Sequence, residues 1–339
     1  MNVDVALDVR LTRRMSFGMR AYATRLVEYL PRVAPDLTVA PLHGGANLGF
    51  DEQILMPLRI ARMRPRLTHY TTIFAPLLAP LPYIMMIHDL IHVIYPELHG
   101  PGVALYYATV ARPLAQRARF LVMGDERTVD QCERYLGVPR ERCRVTPLGY
   151  DPARAAETAV ERAARPYFLY SGNLRPHKNV ATLLAAWSSL PPEIEVDLYL
   201  TGTGEHPAHF ARFERGKRKL VELGTVSEER LWQLYRGALA YVHPALAEGF
   251  GLPMLEAMAA GTPVIAAREC VSSVVRDDAA LFDARDTEAL RALLADAAQG
   301  SPAWRERTAR GKERVRPYTW ERFAMSTAEV YREVLEGSR

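Results

Sequence analysis

The stretch Glu248-Gly-Phe-Gly-Leu-Pro-Met-Leu-Glu256 places two carboxylates eight residues apart across a glycine-rich turn. Leu252, Leu255 and Ala259 recur at helical spacing, which predicts a helix that begins within residues 251–253. The proline of this stretch falls in the first turn, where its missing N–H is not needed. The stretch therefore predicts a ligand-binding turn at the N-terminus of a helix.

The two acids of this stretch differ in their expected surroundings. Glu256 falls about one turn into the helix, at the edge of the buried stripe, where a carboxylate is costly unless a partner hydrogen-bonds it. A pair of ligand hydroxyls is one such partner. Glu248 precedes the helix, and the amides of Phe250, Gly251 and Leu252 are expected to point out of the helix N-terminus toward an anionic or oxygen-rich ligand. The alternative is a helix cap beside an ordinary surface acid.

Length and composition indicate a globular chain of two domains. At 339 residues the chain exceeds the size at which one hydrophobic core usually stops growing. Its apolar runs stay below the roughly 18 residues that span a bilayer and its N-terminus lacks a signal-peptide pattern, so we expect a cytoplasmic protein. Cys132, Cys143 and Cys270 are odd in number and form no Cys-x-x-Cys, which predicts free thiols in a reducing compartment.

Positive charge is concentrated in the first half of the chain. Residues 1–150 hold 18 arginines and 13 acidic residues, a net charge of +5, whereas the remainder has a net charge of −1. Four of the arginines are interleaved with three apolar residues, in the order Leu58, Arg59, Ile60, Arg62, Met63, Arg64 and Arg66. This pattern suits contact with an anionic membrane or a phosphate-bearing acceptor, and the alternative is a solubilising surface. No zinc-finger spacing or aromatic RNA-binding signature accompanies it, so nucleic acid is not an expected partner.

Short apolar strands alternate with helical stretches along the chain, which predicts an α/β protein with doubly wound parallel sheets. Two such series are visible, separated by a segment at 151–165 that is rich in Ala, Arg and Glu. The first series comprises strands at 3–9, 37–42, 67–70, 83–88, 120–123 and 144–146, with helices at 17–30, 102–118 and 126–136. The second comprises strands at 167–170, 196–200, 219–223, 239–243, 263–266 and 280–282, with helices at 180–188, 228–236, 253–260, 287–298, 303–314 and 321–335.

A basic loop follows the first strand of the second series. It has the sequence Gly172-Asn-Leu-Arg-Pro-His-Lys-Asn179, and Gly172 occupies the position where backbone approaches a ligand closely. Arg175 offers a planar fork and Lys178 a point charge, which together suit a diphosphate. The alternative is a solvated basic loop.

Polar residues also mark strand ends in the first series. His88 and Asp89 close the apolar strand that begins at Tyr83, at the ligand-facing rim of the sheet. A lone histidine is more often structural, but this location favours function. Gly18, in Met15-Ser-Phe-Gly18 between the first strand and the first helix, is placed to let backbone approach a phosphate.

Two further patterns exclude common cofactors. Gly202-Thr-Gly204 follows a strand, but Pro207 occupies the third glycine position of a dinucleotide fingerprint, so nicotinamide binding is not expected and a tight turn is the simpler account. The chain has no Asp-x-Asp and no His, Cys and acid cluster at metal-ligand spacing, which predicts a metal-independent reaction.

Taken together, these motifs resemble the retaining GT-B glycosyltransferases of family 4, also called group 1. The resemblance covers almost the whole chain and is densest from 167 to 282, where Glu248 to Glu256 is similar to the Glu-x7-Glu element of that family. It implies two Rossmann-like domains that face a central cleft. Residues 1–160 would bind the acceptor and 161–316 the nucleotide-sugar donor, while 317–339 would form a C-terminal helix that packs back on the N-terminal domain.

The resemblance also implies a role for each motif residue. Arg175 and Lys178 would neutralise the diphosphate, Glu248 would hold the donor sugar, and His88 would contact that sugar near its reacting face. Glu256 would bind the ribose hydroxyls. The remaining donor-binding residues implied by position are Gly18, Gly172, Asn173, Phe250, Gly251 and Leu252. No cofactor or metal is implied, since the nucleotide sugar is a co-substrate.

The reaction implied by the resemblance is transfer of a hexose with retention of configuration. The sequence of the loop at 172–179 is similar to that of bacterial mannosyl- and rhamnosyltransferases of surface-polysaccharide assembly. This similarity favours GDP-mannose as donor and a saccharide or lipid-linked saccharide as acceptor. Such an enzyme would lie in the cytoplasm or at the inner face of the plasma membrane. The alternatives are the same chemistry with UDP-glucose, UDP-GlcNAc or dTDP-rhamnose, a nucleotide-sugar epimerase on the same architecture, and a sugar-nucleotide-binding protein with a decayed site.

Overall fold

A computed structural model describes residues 3–10, 16–45, 49–98, 100–160, 163–202, 213–214 and 216–337. The chain divides into two compact units. The first contains residues 1–149 and 318–339, and the second contains residues 150–317. Each unit carries its own six-stranded parallel sheet with helices.

The strands of the first unit are buried on both faces in the middle of the sheet and only partly buried at its two edges. They are β1 (Val5–Asp8), β2 (Val39–Leu42), β3 (Leu67–Tyr70), β4 (Tyr83–Met86), β5 (Phe120–Met123) and β6 (Cys143–Val145). Continuous apolar runs such as Tyr-Ile-Met-Met in β4 form such strands because helices cover both sides of a parallel sheet. The spatial order is β2-β1-β3-β4-β5-β6, and the strands are parallel. The direction of winding of the chain reverses between β1 and β3.

The helices of the first unit lie between these strands. They are α1 (Phe17–Val33), α2 (Met56–Met63), α3 (Ile91–Ile94), α4 (Pro101–Tyr106), α5 (Arg112–Arg117) and α6 (Glu126–Gln131). Wider π-helical turns join α4 to α5 at Tyr107–Ala111 and extend α6 at Cys132–Leu136, so the two helices expected at 102–118 and 126–136 are present with a local change of winding. The sequence did not predict α3, α2 or the π-helical turn Asp51–Leu55 that precedes α2.

The basic segment after residue 57 exposes only part of the apolar and basic set that the sequence pointed to. Ile60 is buried and Met63 is partly buried, because α2 turns both toward the sheet, whereas Leu58 remains exposed. Arg59 pairs with Asp51, and Arg66 pairs with Asp4. Four of these seven side chains therefore make contacts within the first unit, and Leu58, Arg62 and Arg64 remain exposed.

A helix from the far end of the chain completes the first unit. This helix, α13 (Trp320–Glu336), packs along α1, and the hydroxyl of Tyr331 lies 2.7 Å from Nδ1 of the fully buried His69 on β3. The chain can enter the unit at Thr319 only because Gly149 lies against it, where an added Cβ would meet the Thr319 carbonyl carbon at 2.1 Å. The first unit thus joins residues that are about as far apart in sequence as the chain allows.

The second unit has the strand order of a dinucleotide-binding domain. Its strands are β7 (Tyr167–Ser171), β8 (Asp197–Thr201), β9 (Leu220–Gly224), β10 (Ala240–His243), β11 (Val264–Ala267) and β12 (Ala280–Phe282). Their spatial order is β12-β11-β10-β7-β8-β9, all parallel, so the direction of winding reverses between β7 and β10. Crevices at such a reversal are where these sheets bind ligands.

The helices of the second unit match the expected ones within three residues. They are α7 (Pro152–Glu157), α8 (Val180–Ser188), α9 (Glu228–Gly237), α10 (Leu252–Ala259), α11 (Thr287–Gln299) and α12 (Pro302–Val315). The exception is α7, in the segment expected to be a connection. Arg236 donates to the carbonyl of Ala156, and Arg154 pairs with Glu228, so this segment packs on α9.

Candidate functional site

Two loops meet at the winding reversal of the second sheet. One follows β7 at residues 172–179, and the other follows β10 at residues 244–251. Asn179, in a left-handed conformation with φ 53°, donates from Nδ2 to the carbonyls of Pro244 and Ala284 at 3.0 and 2.8 Å. The amide of Leu246 donates to the carbonyl of His177 at 2.8 Å. These bonds hold the basic loop and the acidic turn in one fixed arrangement.

An ion pair links the two loops. Nζ of Lys178 lies 2.5 Å from Oε2 of Glu248, and these side chains are 12 and 18% exposed. Burial alone would raise the pKa of Glu248, but the Lys178 ammonium and a hydrogen bond with His243 outweigh it and hold that pKa well below its ordinary value. Glu248 is therefore an ionised acceptor at neutral pH. An ammonium has three donors, so the pairing leaves Lys178 with hydrogens for a ligand.

His243 is a site residue that was not predicted from the sequence. It ends β10, its side chain is buried, and Nε2 lies 3.1 Å from Oε2 of Glu248. On its other side Nδ1 lies 2.9 Å from the hydroxyl of Tyr241. The signal was present in the sequence, because a polar residue at the end of an apolar strand was the same observation that singled out His88.

The helix predicted to begin within residues 251–253 begins at Leu252, which confirms that prediction. Gly251 supports this start with φ 79°, a backbone conformation that favours glycine. A Cβ added there would lie 3.5 Å from Cγ of Glu248, so the helix start and Glu248 are neighbours. Phe250 and Leu252 have buried side chains. Leu252 is the first residue of α10, so its amide is one of the N–H groups that have no partner within the helix, whereas Phe250 lies just before the cap residue Gly251.

Glu256 is buried, as its position on the helix predicted, and it has a protein partner. The hydroxyl of Tyr235 on α9 donates to Oε2 of Glu256 at 3.2 Å. The ring of Tyr235 contacts that of Tyr241 edge to face at 5.7 Å. A continuous set of contacts therefore runs from Glu256 through both tyrosines and His243 to Glu248. Tyr235 and Tyr241 were not singled out by the sequence.

The loop after β7 is shaped by close backbone contacts. The amide of Gly172 donates to the carbonyl of Thr201, and a Cβ added to Gly202 would meet the Gly172 carbonyl oxygen at 1.9 Å. Asn173 accepts the Arg175 amide at Oδ1 and the Tyr170 hydroxyl at its carbonyl, so it shapes the turn. Arg175 is exposed, and within the described part of the chain no carboxylate pairs with it. Gly204 and Pro207 lie outside the described residues.

His88 belongs to the first unit. Its Nε2 donates to the carbonyl of Thr71 at 2.9 Å, and its ring meets that of Tyr22 edge to face at 5.3 Å. Burial lowers the pKa of His88, although the bond to Thr71 and the charge of Asp89 oppose that shift. A neutral ring that donates from Nε2 keeps Nδ1 as an acceptor for a ligand hydroxyl.

Gly18 is the second residue of α1, in the same unit. A Cβ added there meets nothing within 4 Å, so the packing of the unit does not require a glycine at this position. Met15, which precedes it in the quoted motif, lies outside the described residues.

Across the described ranges, no three His, Cys, Asp or Glu side chains are grouped so that they could hold a metal ion. In those ranges no helix is both long and apolar enough to cross a bilayer. The three cysteines are buried thiols outside any disulfide, as predicted.

Comparison with known proteins places these motifs among sugar transferases. The profile of the family described as Glycosyl transferases group 1 matches residues 155–314. O-antigen chain mannosyltransferase B of Escherichia coli is 30% identical over 262 residues, which cover 72% of this chain and 68% of that protein. The MMP alpha-(1->4)-mannosyltransferase of Mycolicibacterium hassiacum is 31% identical over 206 residues, which cover 58% of this chain and 50% of that protein.

Solved structures resemble the chain over its whole length. Sucrose-phosphate synthase from Thermosynechococcus elongatus superposes with a TM-score of 0.75, covering 99% of this chain and 100% of that one. The sequence identity is 20%, so this likeness concerns the fold.

Proposed function

We propose that this chain, which belongs to the group 1 glycosyltransferases, transfers mannose from GDP-mannose with retention of configuration. The acceptor would be a saccharide or lipid-linked saccharide in the synthesis of cell-surface polysaccharide, at the inner face of the plasma membrane. The observation that carries the proposal is the mostly buried Lys178–Glu248 pair at the winding reversal of the second sheet, beside the N-terminus of α10.

The arrangement suits a nucleotide diphosphate sugar. Lys178 and Arg175 would bind the diphosphate, Glu256 the ribose hydroxyls, and Glu248 with the first amides of α10 the donor sugar. Negative charge grows on the departing phosphate oxygen in the transition state, and cations and helix amides that are already in position stabilise that charge without reorganising. Gly172 and Asn173 shape the loop that carries both cations.

Retention requires attack on the face that the phosphate leaves. In the proposed step the bond between the anomeric carbon and the phosphate oxygen breaks while the acceptor oxygen bonds to that carbon, and the acceptor proton passes to the leaving phosphate. His88 would contact the donor sugar through its Nδ1 lone pair, and Gly18 would border the phosphates. No metal and no covalent carboxylate nucleophile takes part in this step.

Mannose is favoured by similarity of sequence. The O-antigen mannosyltransferase of Escherichia coli shares 30% identity over most of the chain, and a second relative named as a mannosyltransferase shares 31% over a shorter segment. The sequence of the loop Gly172–Asn179 also supports a mannose donor.

The experiment measures nucleoside diphosphate release with GDP-mannose, UDP-glucose, UDP-GlcNAc and dTDP-rhamnose, each with and without a diphospholipid-linked saccharide acceptor. We expect release that requires the acceptor and is fastest with GDP-mannose. NMR of the product should show the anomeric configuration of the donor. Inversion would contradict the retaining step, a different best donor would replace mannose, and conversion of the donor to its epimer without acceptor would establish an epimerase instead.

The proposal includes contact of the first unit with an anionic membrane. Phe50, Ile54 and Leu58 are 47–70% exposed and recur every four residues, on one face of the helical segment that ends with α2. Leu77 and Leu78 are exposed at 50 and 81%. The Leu77 amide donates to the side chain of Gln53, which joins their loop to the same helical segment. Exposed cations flank these residues, namely Arg62, Arg64 and Arg117.

Vesicle flotation tests this contact. The protein should float with vesicles that contain phosphatidylglycerol and less with pure phosphatidylcholine, because both apolar burial and cationic attraction contribute. Leu77→Ser combined with Leu78→Ser should reduce flotation, whereas Met325→Ser, which changes an exposed residue of α13, should not. Equal flotation of both variants and the unchanged protein would remove this surface from the proposal.

A further inference from the structure

Glu248 receives its two close hydrogen bonds on one oxygen. Lys178 and His243 both lie against Oε2, at 2.5 and 3.1 Å. The other oxygen, Oε1, lies 3.3 Å from the amide of Gly249 and has no closer protein donor in the described residues. A carboxylate oxygen accepts about two hydrogen bonds, so Oε1 retains capacity for a ligand hydroxyl.

The position of the proton on His243 decides whether its contact with Glu248 is a hydrogen bond. Burial lowers the pKa of His243, and Lys178 lowers it further, while Glu248 opposes that shift; the ring is therefore neutral at neutral pH and carries one proton. If that proton were on Nδ1, Nε2 would point a lone pair at the Glu248 carboxylate. The contact at 3.1 Å is attractive only when Nε2 carries the hydrogen.

Tyr241 can select that tautomer. Its hydroxyl lies 2.9 Å from Nδ1 of His243 and 3.2 Å from the carbonyl of Ser171, but it has one hydrogen to donate. Donation to Nδ1 gives the shorter bond and requires Nδ1 to be unprotonated. The tyrosine is fully buried and its neighbour Tyr235 packs against it, so its hydroxyl is held in place.

We propose that Tyr241 and His243 are positioning residues that orient Glu248 toward a hydroxyl of the donor sugar. The Tyr241 hydroxyl donates to Nδ1, Nε2–H donates to Oε2 of Glu248, and Oε1 is thereby presented to the ligand. A site built to accept a hydrogen bond from a particular hydroxyl discriminates against a sugar that lacks it, so the pair acts on donor specificity. This inference rests on the proposed function for the identity of the donor, but the tautomer itself does not.

The first experiment needs no substrate. Nitrogen-15 NMR of histidine in the full chain should show His243 protonated at Nε2, and Tyr241→Phe should shift its population toward the Nδ1 form. Tyr167→Phe is the matched control, because it removes another buried hydroxyl from the same sheet, one bonded to the carbonyl of Leu234. A ring protonated at Nδ1 in the unchanged protein overturns the proposal, and an unchanged tautomer in Tyr241→Phe removes Tyr241 from it.

The second experiment uses GDP-mannose and its monodeoxy analogues. His243→Gln places an amide nitrogen near the position of Nε2 and should retain most of kcat/KM, whereas His243→Asn, which cannot reach Glu248, should lose about tenfold to a hundredfold. The loss should be smaller for the analogue that lacks the hydroxyl bound by Oε1. An equal loss with every analogue, or in both variants, would show a structural role. If GDP-mannose is not a donor, the NMR result stands and only the sugar changes.

Discussion

At the scale of single residues, the site depends on charges held out of water in pairs. Lys178 and Glu248 are both mostly buried, and each makes the burial of the other tolerable. Removing one partner of such a pair costs more than the pair contributes, because the remaining charge is left buried and unpaired. The sequence predicted both residues as ligand contacts, and the structure adds that they contact each other.

Lys178→Met should therefore affect both stability and turnover. We expect the free energy of unfolding to fall by about 3 kcal/mol because Glu248 loses its cation. The rate of transfer should fall by about a hundredfold or more, because the leaving diphosphate loses a fixed positive charge. Urea unfolding and steady-state release of nucleoside diphosphate measure the two effects.

Lys217→Met is the matched control for this change. Its ion pair with Glu195 is exposed, with side chains 71 and 43% accessible. Exposed pairs contribute little, so both stability and rate should stay within experimental error. A rate in Lys178→Met equal to that of the control would show that Lys178 does not contact the leaving group.

At the scale of elements, the two loops of the site are placed by backbone contacts with neighbouring strands. The turn after β8 touches the turn after β7, since Gly202 lies against the carbonyl of Gly172. The sequence assigned Gly202 to a tight turn. Because Gly202 has no side chain, the carbonyl of Gly172, at the start of the loop that carries Arg175 and Lys178, can pack directly against it. Asn179 then ties that loop to the acidic turn.

Gly202→Ala should displace this loop. The new Cβ would lie 1.9 Å from a backbone oxygen, which cannot move without moving residues 172–178. We expect KM for the nucleotide sugar to rise and the melting temperature to fall. Gly224→Ala is the control, because that glycine also has positive φ, at 61°, but an added Cβ there meets nothing within 4 Å. A KM that changes equally in both variants would assign the effect to backbone strain.

At the scale of the whole molecule, the chain has the GT-B fold, with two parallel α/β sheets, as the sequence predicted. The first unit includes α13, which follows the whole second unit in the sequence. His69 connects this helix to the sheet, because its two ring nitrogens face the hydroxyls of Tyr331 and Tyr22 at 2.7 and 3.2 Å.

This connection predicts a dependence of stability on pH. Burial, with a contribution from His88, lowers the pKa of His69 from 6.5 to about 3. The unfolded chain therefore takes up a proton at His69 below its ordinary pKa while the folded chain does not, so acid favours unfolding. The free energy of unfolding should fall by about 1.4 kcal/mol per pH unit as the pH drops below about 6.5, and the effect should end near the folded pKa.

Chemical denaturation across this pH range measures the effect. His69→Gln should be less stable at neutral pH and should show a shallower fall toward acid, because the buried imidazole no longer contributes. Other buried histidines, including His88 and His243, remain in both proteins, so the difference between the two profiles isolates His69. Parallel profiles would mean that His69 is protonated in the folded chain.

The sequence by itself determined the α/β alternation, the twelve strands that the described residues contain and the start of α10, because apolar periodicity and proline placement act over a few neighbouring residues. It also identified Lys178, Glu248 and Glu256, because these residues lie in short motifs that are recognisable from neighbouring residues alone. The family resemblance implied that the C-terminal helix packs on the first unit, but only the tertiary structure decided that its Tyr331 meets His69, that Glu256 meets Tyr235, and that Tyr241 and His243 lie behind Glu248. These contacts join residues far apart in sequence or depend on the direction of a buried side chain, and local pattern carries neither kind of information.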